Sequence, residues 1–116
     1  IDDPAKDLDL AELHDCFSIN ELIGYEDLGF CPAGESVRFL RDGATRFGGS
    51  LPVNVSGGLL SCGHPVGATG LRMVVEAARQ VQGVAGDRQV EGARQALTQN
   101  IGGPGAVAFV SVIRRM

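Results

Sequence analysis

Hydrophobic residues recur along the chain at spacings that predict three strands. Leucines at positions 8, 10 and 13 bracket a short strand, which runs into the sequence His-Asp-Cys-Phe at 14–17. Two further strands are expected near the end of the chain, at 93–99 and 106–113. The last of them is apolar on both faces, which is typical of a strand in a sheet that helices cover on either side. Such a strand needs more cover than short helices supply.

Three helices are expected between these strands. Ser18 followed three residues later by Glu21 is a capping-box signature, so the first helix should start at Ser18, with Gly29 as its stop. A brief helix at 35–41 interrupts a stretch rich in turn signals. A longer helix is expected at 68–82, where apolar residues repeat on one face. The polar residues at the start of the chain are typical of a turn.

The stretch at 54–70 is rich in glycine, and it holds His64 between Gly63 and Pro65, just before the long helix. An imidazole titrates near neutral pH, so a histidine on such a loop can act as a general base or as the partner of a thiolate. A tight turn in which His64 is merely hydrogen-bonded fits the same residues. A nucleotide-binding loop does not fit, because the stretch lacks the Lys-Ser/Thr ending.

Composition and charge narrow the class of protein. The 116 residues are 44% hydrophobic and 21% charged, which suits one globular domain at most. The net charge of −4 argues against a nucleic-acid partner. No run approaches the roughly 18 apolar residues of a membrane span, and no secretory signal is present, so we expect a cytoplasmic protein without a membrane partner. The first residue, Ile1, is not Met, which suggests a piece of a longer protein.

The three cysteines are odd in number and contain no Cys-x-x-Cys pair. This pattern argues against a disulfide framework and against a zinc site, so no metal is expected. Cys31 and Cys62 are expected to be inert. Cys16 fits either a buried structural thiol or a reactive one.

Three turns beside the predicted strands carry the candidate chemistry, at 14–17, 54–70 and 100–105. Loops at strand ends on one edge of an α/β sheet are where sites are usually assembled. If these turns converge, the thiol of Cys16 and the imidazoles of His14 and His64 meet a set of backbone N–H donors. These donors are the amides of Gly102, Gly103 and Gly105. Such a set could carry out acyl transfer.

The order of these motifs resembles the C-terminal part of a thiolase. The motifs are His-Asp-Cys-Phe, then Asn-x-x-Gly-Gly with Gly-His-Pro-x-Gly-Ala-Thr-Gly, then a glycine-rich turn into a C-terminal strand. The stretches Glu-Leu-Ile-Gly-Tyr-Glu-Asp-Leu-Gly-Phe-Cys-Pro and Gly-Asp-Arg-Gln-Val-Glu-Gly-Ala are similar to the lipid-transfer type, the 3-ketoacyl-CoA thiolases linked to sterol carrier protein. The resemblance covers the chain from about Leu8 onward.

The resemblance implies an α/β fold, a mixed sheet with helices on its faces that forms part of the C-terminal half of a thiolase. Residues 1–116 would be a partial C-terminal domain, and the N-terminal domain that bears the nucleophile would be absent. The implied activity is thiolytic cleavage of 3-ketoacyl-CoA by an acyl-CoA C-acyltransferase. Coenzyme A would be a substrate, and no cofactor is implied. The implied partners are acyl-CoA, CoA and the N-terminal thiolase portion, and a homo-oligomer is allowed.

The resemblance also implies a role for each candidate residue. His64 would activate the nucleophilic cysteine and help to form an oxyanion hole. Cys16 would be the acid/base, and His14 would help to hold a catalytic water at the first oxyanion hole, where most thiolases have an Asn. The backbone of Gly102 and Gly103 would contribute to the second oxyanion hole.

Two neighbours of these residues have less specific roles. Phe17 would be core or a wall of the substrate pocket. Asp15 would orient His14 or stabilise the turn.

The chain departs from the common thiolase pattern at one position. Common thiolases carry an acid/base cysteine in a Cys-x-Gly sequence at the last loop, and here the sequence is Asn100-Ile101-Gly102. Two alternatives therefore stay open: a thiolase-like aldolase that acts on sterol side chains, and a non-catalytic thiolase half that serves as an interaction module. Retention of both His64 and Cys16 argues against the aldolase.

Overall fold

A three-stranded mixed sheet forms the centre of the computed structural model, which describes all 116 residues. β1 pairs in parallel with β2, and β2 pairs antiparallel with β3, which gives the order β1-β2-β3. A single parallel bridge joins Val53 to Ala11 on the other side of β1. The elements in chain order are α1 Pro4–Asp7, β1 Leu10–Glu12, α2 Ser18–Asp27, α3 Ser36–Arg41, α4 Gly58–Cys62, α5 Thr69–Gln82, a 3-10 turn Gly86–Arg88, β2 Gln95–Gly102 and β3 Val107–Arg114.

Successive residues of β1 and β2 point to opposite faces of the sheet, and each face has its own core. On one face, Leu10 and Ala96 pack against Ala77 of α5. On the other, Ala11 and Leu97 pack with a larger cluster that comprises Leu8, Leu13, Tyr25, Phe30, Leu51 and Val53. The expected α/β class, with helices on the faces of a mixed sheet, is confirmed.

β3 forms where a strand was expected, but the chain does not cover it. Its residues are exposed apart from Ile113, and Phe109 keeps 67% of its surface accessible. The expectation that this strand needs more cover than the short helices supply is therefore confirmed. α5 packs against part of β3 and Ile113 joins the core there, while the other residues of the strand stay exposed.

The structure differs from the sequence-based expectation at the cap of α2 and at two short helices. The helix α2 begins at Ser18 as expected, but its N-cap is Phe17 and no side chain caps it. Glu21 instead accepts a hydrogen bond from the hydroxyl of Tyr25, one turn further along the helix. The polar start of the chain forms α1, and the glycine-rich stretch contains α4, two short helices where turns were expected.

Candidate active site

The parallel pairing of β1 and β2 brings their carboxyl ends to the same edge of the sheet. Glu12 of β1 lies opposite Thr98 of β2. Two residues further along each of these segments, His14 therefore comes beside Asn100. The Nδ1 atom of His14 lies 2.9 Å from the Oδ1 atom of Asn100. His14 is only 3% exposed, so this hydrogen bond holds a buried imidazole just beyond the carboxyl end of β1.

His64 lies on the exposed loop between α4 and α5. Its Nδ1 atom is 2.7 Å from the hydroxyl oxygen of Thr69, which in turn lies 3.3 Å from the backbone oxygen of Pro65. The direction of the contact between Nδ1 and the Thr69 hydroxyl depends on the tautomer of His64. With the proton on Nδ1, the imidazole donates to Thr69, Thr69 donates to the Pro65 carbonyl, and Nε2 keeps a lone pair that can accept a proton.

The two imidazoles contact each other. The ring centroids of His14 and His64 lie 4.9 Å apart, and the rings meet edge to face at 81°. Burial lowers the pKa of His14, and a positive charge on His64 lowers it further, while the hydrogen bond to Asn100 and the charge of Asp15 raise it. Burial is the largest of these effects, so His14 stays neutral at pH 7.

Asp15 connects the first loop to α4. Its Oδ1 atom accepts the backbone N–H of Leu59 at 2.8 Å. The approach is close because Gly58 has no side chain: a Cβ atom there would lie 2.1 Å from the Oδ2 atom of Asp15. Gly58 also has a φ of +62°, in the left-handed region. Of the two roles expected for Asp15, the structure therefore shows a loop-stabilising contact.

Cys16 lies between two cavities. The first, of about 350 Å³, is lined by Cys16 and His64 together with Asp15, Ser18, Glu21, Leu59 and Leu60. The second, of about 320 Å³, is lined by Cys16, Phe17 and Gly103, with Ile23 and Ile101 among its apolar walls. The side-chain amide of Asn20 donates to the Cys16 sulfur at 3.0 Å.

The expected site residues thus lie in three loops around one edge of the sheet. Cys16 shares one cavity with His64 and the other with Phe17, which is 71% exposed, and with Gly103. Gly102, the last residue of β2, pairs with Val107 and precedes Gly103 in the chain, but it lines neither cavity itself. Cys62 is exposed and Cys31 is half-buried, and neither lines either cavity.

A buried polar network lies behind the site, and sequence reasoning missed it. Glu12 has no exposed surface, accepts hydrogen bonds from the backbone N–H and the hydroxyl of Ser56, and lies 3.6 Å from the Nη1 atom of Arg72. Arg72 also donates to the Ser56 hydroxyl at 2.8 Å. The network ties β1 to the glycine-rich stretch and to α5. The one available signal was a carboxylate in an otherwise apolar strand.

Among these residues, the structure shows neither a metal site nor a membrane-spanning helix. No three or more His, Cys, Asp or Glu side chains are grouped so that they could hold a metal ion. None of the helices has the length and apolar character needed to cross a bilayer.

Comparison with known proteins gives consistent matches. The thiolase C-terminal domain-like family matches residues 4–115. Acetyl-CoA acetyltransferase of Methanothermobacter thermautotrophicus is 53% identical over 109 residues, which cover 94% of this chain and 28% of the relative. Sterol carrier protein 2 of Bos taurus is 54% identical over 102 residues, covering 88% of this chain and 19% of the relative.

A solved structure is similar as well. The Ltp2-ChsH2(DUF35) aldolase matches with a TM-score of 0.71 and 34% identity, over 81% of this chain and 24% of that one. The chain spans less than a third of the length of these relatives. Since the family match covers all but four of the 116 residues, the chain belongs to the thiolase C-terminal domain-like family.

Proposed function

We propose that this chain is the C-terminal part of an acyl-CoA C-acyltransferase, and that it supplies acid/base groups for the thiolytic cleavage of 3-ketoacyl-CoA. The observation that carries the proposal is the shared cavity of Cys16 and His64, with His14 in contact with the His64 ring. A thiol and an imidazole with a free lone pair are the two groups that thioester exchange requires besides its nucleophile.

The nucleophilic cysteine comes from the N-terminal portion of the protein. His64 accepts its proton at Nε2, and the resulting thiolate attacks the 3-keto carbonyl carbon. The bond between C2 and C3 then breaks, its electron pair forms the enolate of acetyl-CoA or propionyl-CoA, and the thiol of Cys16 protonates that carbanion. The Cys16 thiolate next takes the proton of free CoA, whose sulfur attacks the acyl-enzyme and releases the shortened acyl-CoA and the cysteine.

Negative charge develops on the carbonyl oxygen in each attack. We assign the backbone N–H groups of Gly102 and Gly103 to its stabilisation, because Gly103 lines the Cys16 cavity and Gly102 precedes it at the end of β2. Loss of one such donor lowers the rate by roughly 10² to 10³. Phe17 and Ile101 would then contact the acyl chain.

The proposed partner is the N-terminal portion of the same enzyme, which packs on β3. This strand has a free edge, and consecutive residues such as Phe109 and Val110 expose apolar side chains on its two faces. A strand with free backbone groups and two apolar faces is stable in water only when another part of the protein covers it.

The test is an assay of thiolysis of a medium-chain 3-ketoacyl-CoA by this chain, alone and together with the N-terminal portion. We expect activity only in the assembled protein. Cys16→Ala and His64→Ala should each lower kcat by about 10² to 10⁴, the usual contribution of a general acid or base. The matched control is Cys62→Ser, an exposed thiol outside both cavities, which should retain activity. Unchanged thiolysis in Cys16→Ala would refute the proposal.

The similarity to the Ltp2-ChsH2(DUF35) aldolase favours a second candidate, aldol cleavage. An aldolase breaks the C–C bond of a 3-hydroxyacyl-CoA and consumes no free CoA, whereas a thiolase consumes one CoA per turnover. Incubation of the assembled protein with 3-hydroxyacyl-CoA and with 3-ketoacyl-CoA, each with and without CoA, separates the two candidates.

A further inference from the structure

We infer that Asn100 is a positioning residue that fixes the tautomer of His14, so that the Nε2 atom of this imidazole accepts a hydrogen bond and does not donate one. The inference concerns the site of the proposed function and rests on it. It assigns a role to a residue that touches neither of the two cavities.

The tautomer follows from the chemistry of the contact. The Oδ1 atom of Asn100 is a carbonyl oxygen, which can only accept, and it lies 2.9 Å from the Nδ1 atom of His14. Nδ1 must therefore carry the proton. In a neutral imidazole one nitrogen is protonated and the other is bare, so Nε2 keeps its lone pair. Burial lowers the pKa of His14, which keeps the ring neutral near pH 7.

The orientation of Asn100 is itself constrained. Asn100 lies within β2, where it pairs with Phe109 of β3, so its backbone cannot shift without breaking the ladder. On the side of α5 its amide nitrogen abuts Gly70: a Cβ atom at Gly70 would lie 2.8 Å from the Nδ2 atom of Asn100. The carboxamide thus lies between Gly70 and the imidazole of His14, with its Oδ1 atom towards Nδ1 of the ring.

The charged groups around His14 act in opposite directions. Asp15 is adjacent in sequence and favours the imidazolium, whereas a charged His64 disfavours it, and both act less strongly than burial. Because the neutral ring has a bare Nε2, any group that hydrogen-bonds there must be the donor. A water held at this atom donates one O–H to Nε2 and keeps its second O–H for a developing oxyanion.

The experiment reads the two imidazoles directly. The chain contains two histidines. If only this chain is labelled with 15N-histidine and is then assembled with an unlabelled N-terminal portion, the spectrum shows the imidazoles of His14 and His64 alone. His14→Gln assigns them. We expect the one-bond N–H coupling of His14 on Nδ1 and none on Nε2 at pH 7.

Two variants of Asn100 test the cause. Asn100→Leu removes the acceptor, so His14 should populate both tautomers. Asn100→Asp keeps the acceptor and adds a negative charge, so the titration midpoint of His14 should move to higher pH and the pH profile of thiolysis should move with it. An effect on packing alone would change stability but not the tautomer.

The inference is overturned if wild-type His14 carries its proton on Nε2, or if Asn100→Leu leaves the tautomer unchanged. These outcomes do not depend on the proposed function. A protein with the expected tautomer and no thiolysis would refute the proposed activity alone, and active thiolysis with the opposite tautomer would refute the role of Asn100 alone.

Discussion

Replacing Gly58 by Ala should destabilise the protein and disturb the site together. Gly58 has a φ of +62°, and an added Cβ atom would lie 2.1 Å from the Oδ2 atom of Asp15 and 2.8 Å from its Cγ atom. Neither atom can stay in place at such distances. The carboxylate would have to move away from the N–H of Leu59, which it now accepts at 2.8 Å.

The magnitude has two parts. A non-glycine residue in the left-handed region costs about 1–2 kcal/mol. Loss of a hydrogen bond to a charged group costs about 1.5–3 kcal/mol. Gly58→Ala should therefore lower the free energy of unfolding by about 2.5–5 kcal/mol. Because Asp15 stands between His14 and Cys16, its displacement should also lower kcat for thiolysis.

Urea unfolding of the assembled protein measures the effect, and Gly67→Ala is the matched control. Gly67 has a φ of +84°, but nothing lies within 4 Å of an added Cβ atom, so only the backbone part of about 1–2 kcal/mol should appear. The double variant Gly58→Ala with Asp15→Ala should cost less than the sum of the single variants, since the clash is then gone. Equal losses for Gly58→Ala and Gly67→Ala would refute the argument.

Two further predictions concern buried charge. The pKa of His14 is lowered below its ordinary 6.5, so the folded state binds the imidazole proton less well than the unfolded state does. The stability of the wild type should therefore fall relative to that of His14→Asn as the pH drops below about 6.5. Unfolding midpoints across about pH 5–8 measure this difference. Arg72→Met should cost about 2 kcal/mol, because Glu12 loses its ion-pair partner at 3.6 Å and the Ser56 hydroxyl loses the donor at 2.8 Å. Glu12→Gln should recover most of that loss, which a double-mutant cycle of urea unfolding would show.

The long helix α5, the short helix α3 and the strand β1 could be predicted from the sequence, whereas the short helices α1 and α4 could not. The helix α5 has 14 residues with a clear apolar face, so its pattern alone indicates its place. The five residues of α4 contain one glycine, are flanked by two more, and show no helical period. Asp15, 44 positions from Leu59, binds at the start of this helix. A contact at that separation leaves no local signal in the chain.

The candidate site shows the same division. The gathering of His14 and His64 follows from their places at strand and helix ends, which the spacing of apolar residues indicates. Their hydrogen-bond partners do not follow from it. Asn100 reaches His14 only because β1 and β2 pair in one particular parallel register, and a shift by one residue would turn its side chain to the opposite face.

The sequence of β3 indicates a strand that is buried on both faces, but these 116 residues do not bury it. Phe109 and Val110 point to opposite faces of the sheet, and both are apolar, which is typical of a strand buried on both sides. Within these 116 residues they keep 67% and 51% of their surface exposed. The chain spans only 28% of the related acetyl-CoA acetyltransferase, so most of such a relative lies outside this segment. The apolar pattern of β3 agrees with the proposed packing of the N-terminal portion on this strand.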